Sequence, residues 1–556
     1  MLGYFGVIMK EHYTYILKGT EKRVVNSFPF QILDDSKSDF GAFVDKSGIV
    51  QAKYTIYRAC SMIALYLCRD SKFYHDDRLY NRIMPAIAYV EKVQHENGLF
   101  DYVTCNFYSA PDTAFILKKM LNFYLYLKDI DRDDKENEIY GRFENIIKKG
   151  AYGIMEGGFH TPNHRWVIAS ILMMCSRLFN EERMKDVADR YLAEGIDCNE
   201  DGEFAEKSAG NYNRVNNDAM ILLTEATGDE TYEECAVRNL KMMLQYWEMD
   251  GSVFSANSTR FDKDLVTYPK YYYTEYMLMA HKHNIPEFYQ MANTIIDINK
   301  EKGLLEPDVL IFFMRYPQWK DTEYEERFSY PDYEVMYRES GIVRARSGNY
   351  TFTIMNGKSD FLYFNLGTMK LIMKVTGSFC EHRAFKSETL DHNAGAYHLH
   401  QTMRGWYYLP WKDENRPATS NWWEMDNDSR DKKLGPDLDI DVYISERPQK
   451  DGLDVRVVTA GVENDPFRVE VAVCGATFME NDYMASYLDG SEAITVKAGT
   501  TLFTNNVDTL TVGPGFGNHH FMEGKEDSEG KIKGATTLYF TDYTGFDHTI
   551  SIMRRN

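Results

Sequence analysis

The sequence lacks several features that would place it in a specialised class of proteins. None of its eight cysteines forms a Cys-x-x-Cys pair, and 63 Lys plus Arg face 84 Asp plus Glu, a net charge of −21. Without paired cysteines, buried free thiols are a better prediction than disulfides or a zinc cluster. Without a basic excess, nucleic acid is not an expected partner, because its binders neutralise phosphates with a positive surface.

Long hydrophobic runs are also missing. The apolar run from Leu2 to Met9 is too short to cross a bilayer, and it lacks the basic flank and the cleavage site of a signal peptide. The sequence as given therefore predicts a cytoplasmic protein with no membrane partner, or a periplasmic or secreted one if a leader was removed before Met1. It contains no low-complexity tract, and it makes no prediction of oligomeric state.

Aromatic residues, in contrast, are abundant. Tyr, Phe and Trp number 40, 32 and 7, which is 14% of the 556 residues. Flat apolar rings with polar edges match the faces of sugars, but two large cores would use as many aromatics. The length predicts two or more domains, so both interpretations stay open.

A turn of the form Gly-x-Phe recurs through the first half, and each copy precedes a polar patch and an apolar helix. The copies, the later ones looser, begin at Gly41, Gly98, Gly157, Gly202, Gly251 and Gly303, 45 to 59 residues apart. A repeat of this length holds two helices and two turns. The pattern predicts stacked helical hairpins whose polar patches meet at one end of the array.

The second half has the alternation of strands. Apolar residues occupy every other position through 438–444 and again through 467–473, and Asp-Gly, Asn-Gly and Gly-rich turns interrupt the pattern. This period of two predicts antiparallel sheets. Helices followed by strands indicate an α+β chain of separate domains, which we place at residues 1–320 and 321–556.

The first group of chemical interest is the turn at 157–166. If Thr161 caps a helix that Pro162 opens, Asn163 and His164 project from its first turn. Free N–H groups and the helix dipole favour an anion there and disfavour imidazolium, so His164 would stay neutral and able to accept a proton. The amide of Asn163 would suit a carboxylate. The alternative is that both residues only complete the helix start.

The second group follows the next turn. Tyr212 stands near Lys207 and Arg214, and Arg260 in the following repeat is a further anion ligand. A phenol flanked by cations loses its proton more easily and can act as base and then as acid. The alternative is a packed tyrosine beside solvated cations.

Histidines concentrate in the second half. They are His382, His392, His398 and His400, and Arg404 and Trp406 follow them. His398 and His400, two apart on a predicted strand, would share a face. Such a pair suits zinc, but no acidic third ligand stands out in the sequence. We therefore expect no cofactor, with a structural divalent metal such as zinc in this half as the alternative.

These motifs carry a family resemblance. The Gly-Gly-Phe…Asn-His turn at 157–164, the Asp-Gly-x-Phe-x-Glu-x-Ser…Tyr string at 201–212 and the β-rich second half resemble the heparinase- and alginate-lyase-like polysaccharide lyases. The resemblance implies an incomplete (α/α)5–6 toroid followed by an antiparallel β-sandwich. It also implies cleavage of a uronate-containing polysaccharide or oligosaccharide by β-elimination.

The resemblance implies roles for individual residues. Asn163 would neutralise the uronate carboxylate, His164 would assist or act as base, and Tyr212 would act as acid and base. The His-x-His-x-Asp-like strand of relatives is absent, so the histidine from the second half is chosen among His382, His398 and His400, with His382 taken as catalytic. The substrate-binding residues would be Lys207, Arg214, Arg260, His398 and Trp406.

Two other functions remain open at this point. A glycoside hydrolase on the same helical scaffold would need two carboxylates flanking the scissile bond, and the sequence offers Asp112, Glu203, Glu206 and Asp218. A non-catalytic glycan-binding protein would use the aromatic rings as a stacking platform.

Overall fold

The computed structural model describes residues 8–159, 161–520 and 530–555, so residues 2–7 of the N-terminal apolar run and His160 lie outside it. The chain divides into two compact units, Met1–Tyr330 and Pro331–Asn556. The boundary that the sequence predicts, between residues 320 and 321, lies ten residues before this division.

The first unit is a double layer of helices. Five inner helices (α2, α4, α6, α8 and α10) pack side by side in sequence, and each is followed by an outer helix that packs on it. This is the incomplete α/α toroid that the resemblance implies. In the described part of the chain the helices are α1 (Ile8–Ser27), α2 (Ala52–Leu67), α3 (Asp77–Val93), α4 (Ala110–Lys128), α5 (Asp134–Glu156), α6 (Pro162–Phe179), α7 (Glu182–Leu192), α8 (Tyr212–Thr227), α9 (Thr231–Met243), α10 (Tyr273–His283), α11 (Pro286–Glu301) and α12 (Leu310–Arg315).

The inner helices begin with the signals that the sequence predicts. The Ser109 hydroxyl accepts a hydrogen bond from the backbone N–H of Asp112 at the start of α4. At the start of α6, Pro162 is the first helical residue and Thr161 occupies the N-cap position, but its hydroxyl makes no capping hydrogen bond to the helix backbone. Residues 166–176 of α6 are all buried, because an inner helix is covered on every side.

The recurring glycines fix the turns between hairpins. Gly41 and Gly202 have φ angles of 93° and 98°, a region that side chains disfavour. A Cβ at Gly41 would lie 2.0 Å from the carbonyl oxygen of Pro85 on α3. The turn therefore needs glycine both for its conformation and for its contact with the outer helix. Gly157 departs from the pattern, with φ of −82°.

The second unit is a β-sandwich of two nine-stranded sheets. A short hairpin, β1 (Phe100–Tyr102) and β2 (Asn106–Ser109), belongs to the first unit. The strands of the second unit are β3 (Tyr333–Tyr337), β4 (Ile342–Ser347), β5 (Tyr350–Met355), β6 (Leu362–Leu366), β7 (Met369–Phe379), β8 (His382–Ala384), β9 (Thr389–Asn393), β10 (Ala396–Tyr408), β11 (Lys432–Glu446), β12 (Gly452–Ala460), β13 (Pro466–Cys474), β14 (Phe478–Glu480), β15 (Ala485–Tyr487), β16 (Ala493–Thr495), β17 (Thr501–Thr504), β18 (Thr509–Gly513), β19 (Thr536–Tyr543) and β20 (Asp547–Arg555).

The two sheets of the sandwich pack around one apolar core. One sheet runs β15-β14-β17-β18-β20-β12-β11-β10-β9, and the other runs β16-β19-β13-β7-β6-β5-β4-β3 with β8 beside β7. The pairing is antiparallel except at one edge, where β16 runs parallel to β19. Alternating residues of both sheets, such as Val442 and Val469, are fully buried in one apolar core. The alternation seen in the sequence is therefore the inward face of each strand.

Among the described residues, no helix combines the length and the apolar composition that a bilayer crossing needs.

Candidate functional site

The candidate site is built where α6 and α8 begin. These two inner helices are neighbours in the ring, and the turn at Gly202 leads a polar segment past the first turn of α6. The carboxylate of Glu206, only 2% exposed, accepts hydrogen bonds from the backbone N–H of Asn163 at 3.2 Å and from its side-chain amide at 2.9 and 3.0 Å.

The anion that the sequence predicts at the start of α6 is therefore a carboxylate of the chain itself. Asn163 is fully buried, and its amide also donates to the Thr161 hydroxyl at 3.0 Å. With these bonds made, the amide is turned to Glu206, whereas the sequence prediction directs it to a substrate carboxylate. Burial raises the pKa of Glu206, and the hydrogen bonds from Asn163 and the charge of Arg260 oppose that rise.

Arg260 connects Glu206 to Tyr212. Its Nε lies 3.3 Å from Glu206 Oε1, and its guanidinium lies 5.5 Å from the centre of the Tyr212 ring. Thr259 holds the same turn in place, because its N–H and hydroxyl both donate to the carbonyl oxygen of Glu206, at 3.2 and 3.0 Å. The side chain of Arg260 stays one-third exposed (33%), so part of its charge faces solvent.

Tyr212 is the first residue of α8. Its backbone N–H donates to the Ser208 hydroxyl at 3.0 Å, and its ring meets the edge of Phe261. Burial raises the pKa of Tyr212, and the charge of Arg260 reduces this effect without reversing it. The sequence prediction, that flanking cations make the phenol easier to deprotonate, is wrong in sign. At neutral pH the phenol carries its proton and can donate it.

The two other cations predicted beside Tyr212 have carboxylate partners of their own. Lys207 Nζ lies 3.4 Å from Glu203, which is buried and also accepts a hydrogen bond from Asn257 at 2.6 Å. Arg214 lies 3.9 Å from Asp218 and stacks over the Tyr271 ring, 4.8 Å from its centre.

His164 lies toward the neighbouring inner helix α4. Its ring is half-buried and meets the edge of Phe115, with ring centres 6.2 Å apart. The ammonium group of Lys53 lies over the Phe115 ring, 4.7 Å from its centre. Because Phe115 lines the cavity inside the ring of helices, His164 contacts one residue of that cavity's wall.

This cavity occupies the inside of the ring. It has a volume of about 510 Å³, and its walls come from α2, α4, α8, α10 and the segment 305–316. The sequence did not predict it, because no single motif contains it.

The second unit holds the histidines and the tryptophan that the sequence singled out. His382 is half-buried on β8, which pairs with β7. Trp406 lies near the end of β10, where the Lys432 ammonium group sits 3.9 Å from its ring centre and Tyr408 meets its edge. Their part in a site stays a prediction.

His398 and His400 share a partner on the next strand. His398 Nε2 lies 2.7 Å and His400 Nδ1 2.8 Å from the same oxygen of Asp441, which faces His400 across the β10–β11 pair. Asp441 is an acidic side chain beside both histidines, a neighbour that the sequence did not reveal. Two imidazoles and a carboxylate, with their donor atoms within 4.8 Å of one another, suit zinc.

A second group with metal-ligand chemistry lies on the helical unit. It comprises His75, Asp133 and Glu136. Asp133 and Glu136 already form the capping box that starts α5, so their positions have a structural explanation.

Known proteins are similar to this chain in fold and not in sequence. No protein-family model and no curated protein sequence matches this chain. Among solved structures, a Paenibacillus xanthan lyase is similar over 100% of this chain and 58% of its own, with a TM-score of 0.55 at 9% identity. This chain therefore spans less than two thirds of that lyase.

Two further lyases are similar over most of both chains. A Streptomyces coelicolor A3 chondroitin AC lyase matches 98% of this chain and 79% of its own, with a TM-score of 0.55 at 9% identity. A heparan sulfate lyase from Pedobacter heparinus matches 97% and 83%, with a TM-score of 0.52 at 10% identity. The chain thus shares the fold of polysaccharide lyases built from an α/α toroid and a β-sandwich.

Proposed function

We propose that this protein is a lyase that cleaves a uronate-containing glycan by β-elimination. The observation that carries the proposal is the chain of contacts from Asn163 through Glu206 and Arg260 to Tyr212. It joins a protonated phenol to a partly exposed cation at the starts of two inner helices. The fold shared with xanthan, chondroitin AC and heparan sulfate lyases supports it.

Elimination requires a proton to leave the carbon next to the uronate carboxylate. The resulting intermediate concentrates negative charge on that carboxylate, and a fixed cation stabilises such charge by about 3–4 kcal/mol. We assign this task to Arg260, whose guanidinium is beside Tyr212 and part-exposed. Asn163, which the resemblance would use here, becomes a positioning residue that holds Glu206.

The two proton transfers are assigned to different residues. His164, in the first turn of α6, is assigned the role of the base. Tyr212, whose pKa burial raises, keeps its proton and gives it to the departing glycosidic oxygen. Each transfer contributes about 10²–10⁴-fold to the rate. The C–H and C–O bonds of the glycan break as its C=C bond forms, the carbon's proton moves to His164, and the phenol proton of Tyr212 moves to the leaving oxygen. Proton exchange with solvent then restores both residues.

The second unit contributes a metal site in this proposal. His398, His400 and Asp441 would hold a zinc ion across β10 and β11. The ion would cross-link two strands and would supply structural stability. Lys207 and Arg214 of the helical unit remain proposed contacts to the glycan, and the roles of His382 and Trp406 stay predictions.

The hydrolase alternative has weaker support. It needs two carboxylates free to act across one glycosidic bond, about 5–9.5 Å apart. The four carboxylates that the sequence offers all have partners within the chain. Asp112 is bonded to Lys53 at 3.0 Å, Glu203 to Asn257 at 2.6 Å, Glu206 to Asn163, and Asp218 to Lys118 at 2.7 Å.

The test is a screen of acidic glycans by ultraviolet absorbance. Alginate, hyaluronan, chondroitin, heparan and plant glucuronans are incubated with the purified full chain, and the expected product is an unsaturated uronide that absorbs. A saturated reducing end without that absorbance would indicate a hydrolase. Binding without any product would indicate a glycan-binding protein. Either result would overturn the proposal.

A further inference from the structure

The cavity inside the helical ring has features that the elimination chemistry does not use. Its walls follow α8 from Arg214, two residues after Tyr212, to Glu225 near the last turn. It therefore runs along the inner helices from the end that carries Tyr212. Its volume of about 510 Å³ falls within the range of about 300–1,000 Å³ typical of small-molecule sites.

The charge of the cavity is opposite to that of the protein. Its lining contains seven Lys and Arg against five Asp and Glu, while the whole chain has a net charge of −21. Burial and the neighbouring Asp218 raise the pKa of Glu275 well above its ordinary value, which favours its neutral form. The cavity thus concentrates positive potential, which favours an anionic ligand.

Most of the charged residues in the wall are paired. Asp308 binds Arg23 at 2.9 Å and Lys119 at 2.8 Å, and Asp218 binds Lys118 at 2.7 Å. Two cations differ. Arg58 donates to the Tyr54 hydroxyl at 2.8 Å, and Lys270 lies over the Tyr271 ring. Neither has a carboxylate partner within 4 Å among the described residues.

One end of the cavity is covered by the chain. Arg315 of α12 donates to Asn122 on α4 at 2.7 Å and binds Glu225 on α8 at 2.6 Å. These contacts hold α12 against the later turns of α4 and α8. A ligand that enters from the end near Tyr212 would therefore stop inside the ring.

We propose that this cavity receives the terminal acidic sugar of the glycan, so that the enzyme cuts at a chain end. Arg58 and Lys270 would bind the sugar's carboxylate, and the rings of Tyr54 and Tyr271 would stack on its faces. The proposal rests on the lyase function, because Tyr212, the proposed acid, and Arg214, a residue of the cavity wall, lie in the same first turn of α8.

Product size provides the first test. A glycan that yields absorbing product in the screen is digested to low conversion, and the products are sized by chromatography. We expect only the shortest unsaturated fragment beside uncut polymer. A ladder of intermediate sizes would overturn cutting at a chain end, while leaving the lyase function intact.

Binding provides a second test that needs no turnover. D-glucuronate and its neutral counterpart D-glucose are titrated into the full chain, and ligand-observed NMR follows binding. We expect glucuronate to bind more tightly, and Arg58→Gln to weaken it about tenfold, the loss of one ionic contact worth about 1.4 kcal/mol. Lys270→Gln should act in the same direction.

The matched control is Arg78→Gln, which removes an arginine whose side chain is 87% exposed outside the cavity. It should leave glucuronate binding unchanged. Equal binding of glucose and glucuronate, or equal effects of Arg58→Gln and Arg78→Gln, would overturn the cavity proposal. Glucuronate binding that depends on Arg58, in a protein that yields no unsaturated product, would support the cavity and refute the lyase.

Discussion

Replacing Asn163 with alanine tests the contact on which the site depends. The change removes the amide that donates to Glu206 at 2.9 and 3.0 Å. The carboxylate, 2% exposed, would keep the backbone N–H of residue 163 and the Arg260 contact at 3.3 Å. A hydrogen bond to a buried charge contributes about 1.5–3 kcal/mol. We therefore expect the unfolding free energy of the helical unit to fall by about 2 kcal/mol.

The loss should depend on pH in a defined direction. Burial already raises the pKa of Glu206 in the folded protein, and without the amide it rises further. A carboxyl whose pKa is raised by folding destabilises the fold as pH rises through that pKa, because the ionised form is the disfavoured one. The variant should therefore lose more stability at pH 8 than at pH 5.

Asn213→Ala is the matched control. Asn213 is also a buried asparagine at the second position of an inner helix, but its amide donates to the sulfur of Met243 at 3.7 Å, a weak acceptor. We expect a loss of about 1 kcal/mol with no dependence on pH. Urea unfolding followed by fluorescence at pH 5 and pH 8 measures both. Equal losses for the two variants at pH 8, or equal losses of Asn163→Ala at both pH values, would refute the reasoning.

Three further predictions concern the site and the fold. Tyr212→Phe removes only the titrating oxygen, so turnover should fall by about 10²–10⁴-fold with an unchanged circular dichroism spectrum; near-normal turnover would remove Tyr212 from the mechanism. The full chain should bind one zinc ion by isothermal titration calorimetry, and His400→Ala should weaken that binding, whereas His392→Ala, on the neighbouring strand β9, should not. Gly202→Ala should lower the melting temperature more than Gly228→Ala, because only at Gly202 would the added Cβ lie within 3 Å of another helix's backbone, that of Arg238 at 2.7 Å; similar shifts would contradict this packing argument.

Local signals in the sequence predicted local structure well. The glycine turns were recognisable because a position such as Gly202, with φ of 98°, excludes most other residues. The start of α6 was recognisable because Thr161 and Pro162 act within one turn of the helix. The strands at 438–444 and 467–473 were recognisable because apolar residues alternate along both, although burial alternates only in the first and covers both faces of the second.

The candidate site was harder to predict, because its contacts join residues that are distant in sequence. Glu206 lies 43 residues from Asn163, and the sequence motif marks it as one of several acidic residues without showing which helix it reaches. Asp441 lies 41 residues from His400, and only the register of β10 and β11 brings them together. The distance in sequence does not indicate that Glu206 contacts Asn163 or that Asp441 contacts His400.

The error on Tyr212 has a different cause. The sequence identified neighbouring cations, and cations alone lower the pKa of a phenol. Its burial depends on the packing of α8 against the next turn, and this desolvation outweighs the charge of Arg260. Lys207, which the sequence placed near the phenol, binds Glu203. The sign of a pKa shift follows from the balance of both effects, and burial was not visible in the sequence.

The position of Glu206 affects how the protein would handle acidic ligands. Its carboxylate lies 3.3 Å from Arg260, at the place where a negatively charged ligand would bind. An anionic ligand would have to displace Glu206 from Arg260 or share the guanidinium with it. Glu206 has a high effective concentration there because the backbone holds it in place. Arg260 would therefore bind a small free acid weakly. A cleaved product would dissociate readily, because Glu206 would form its contact with Arg260 again.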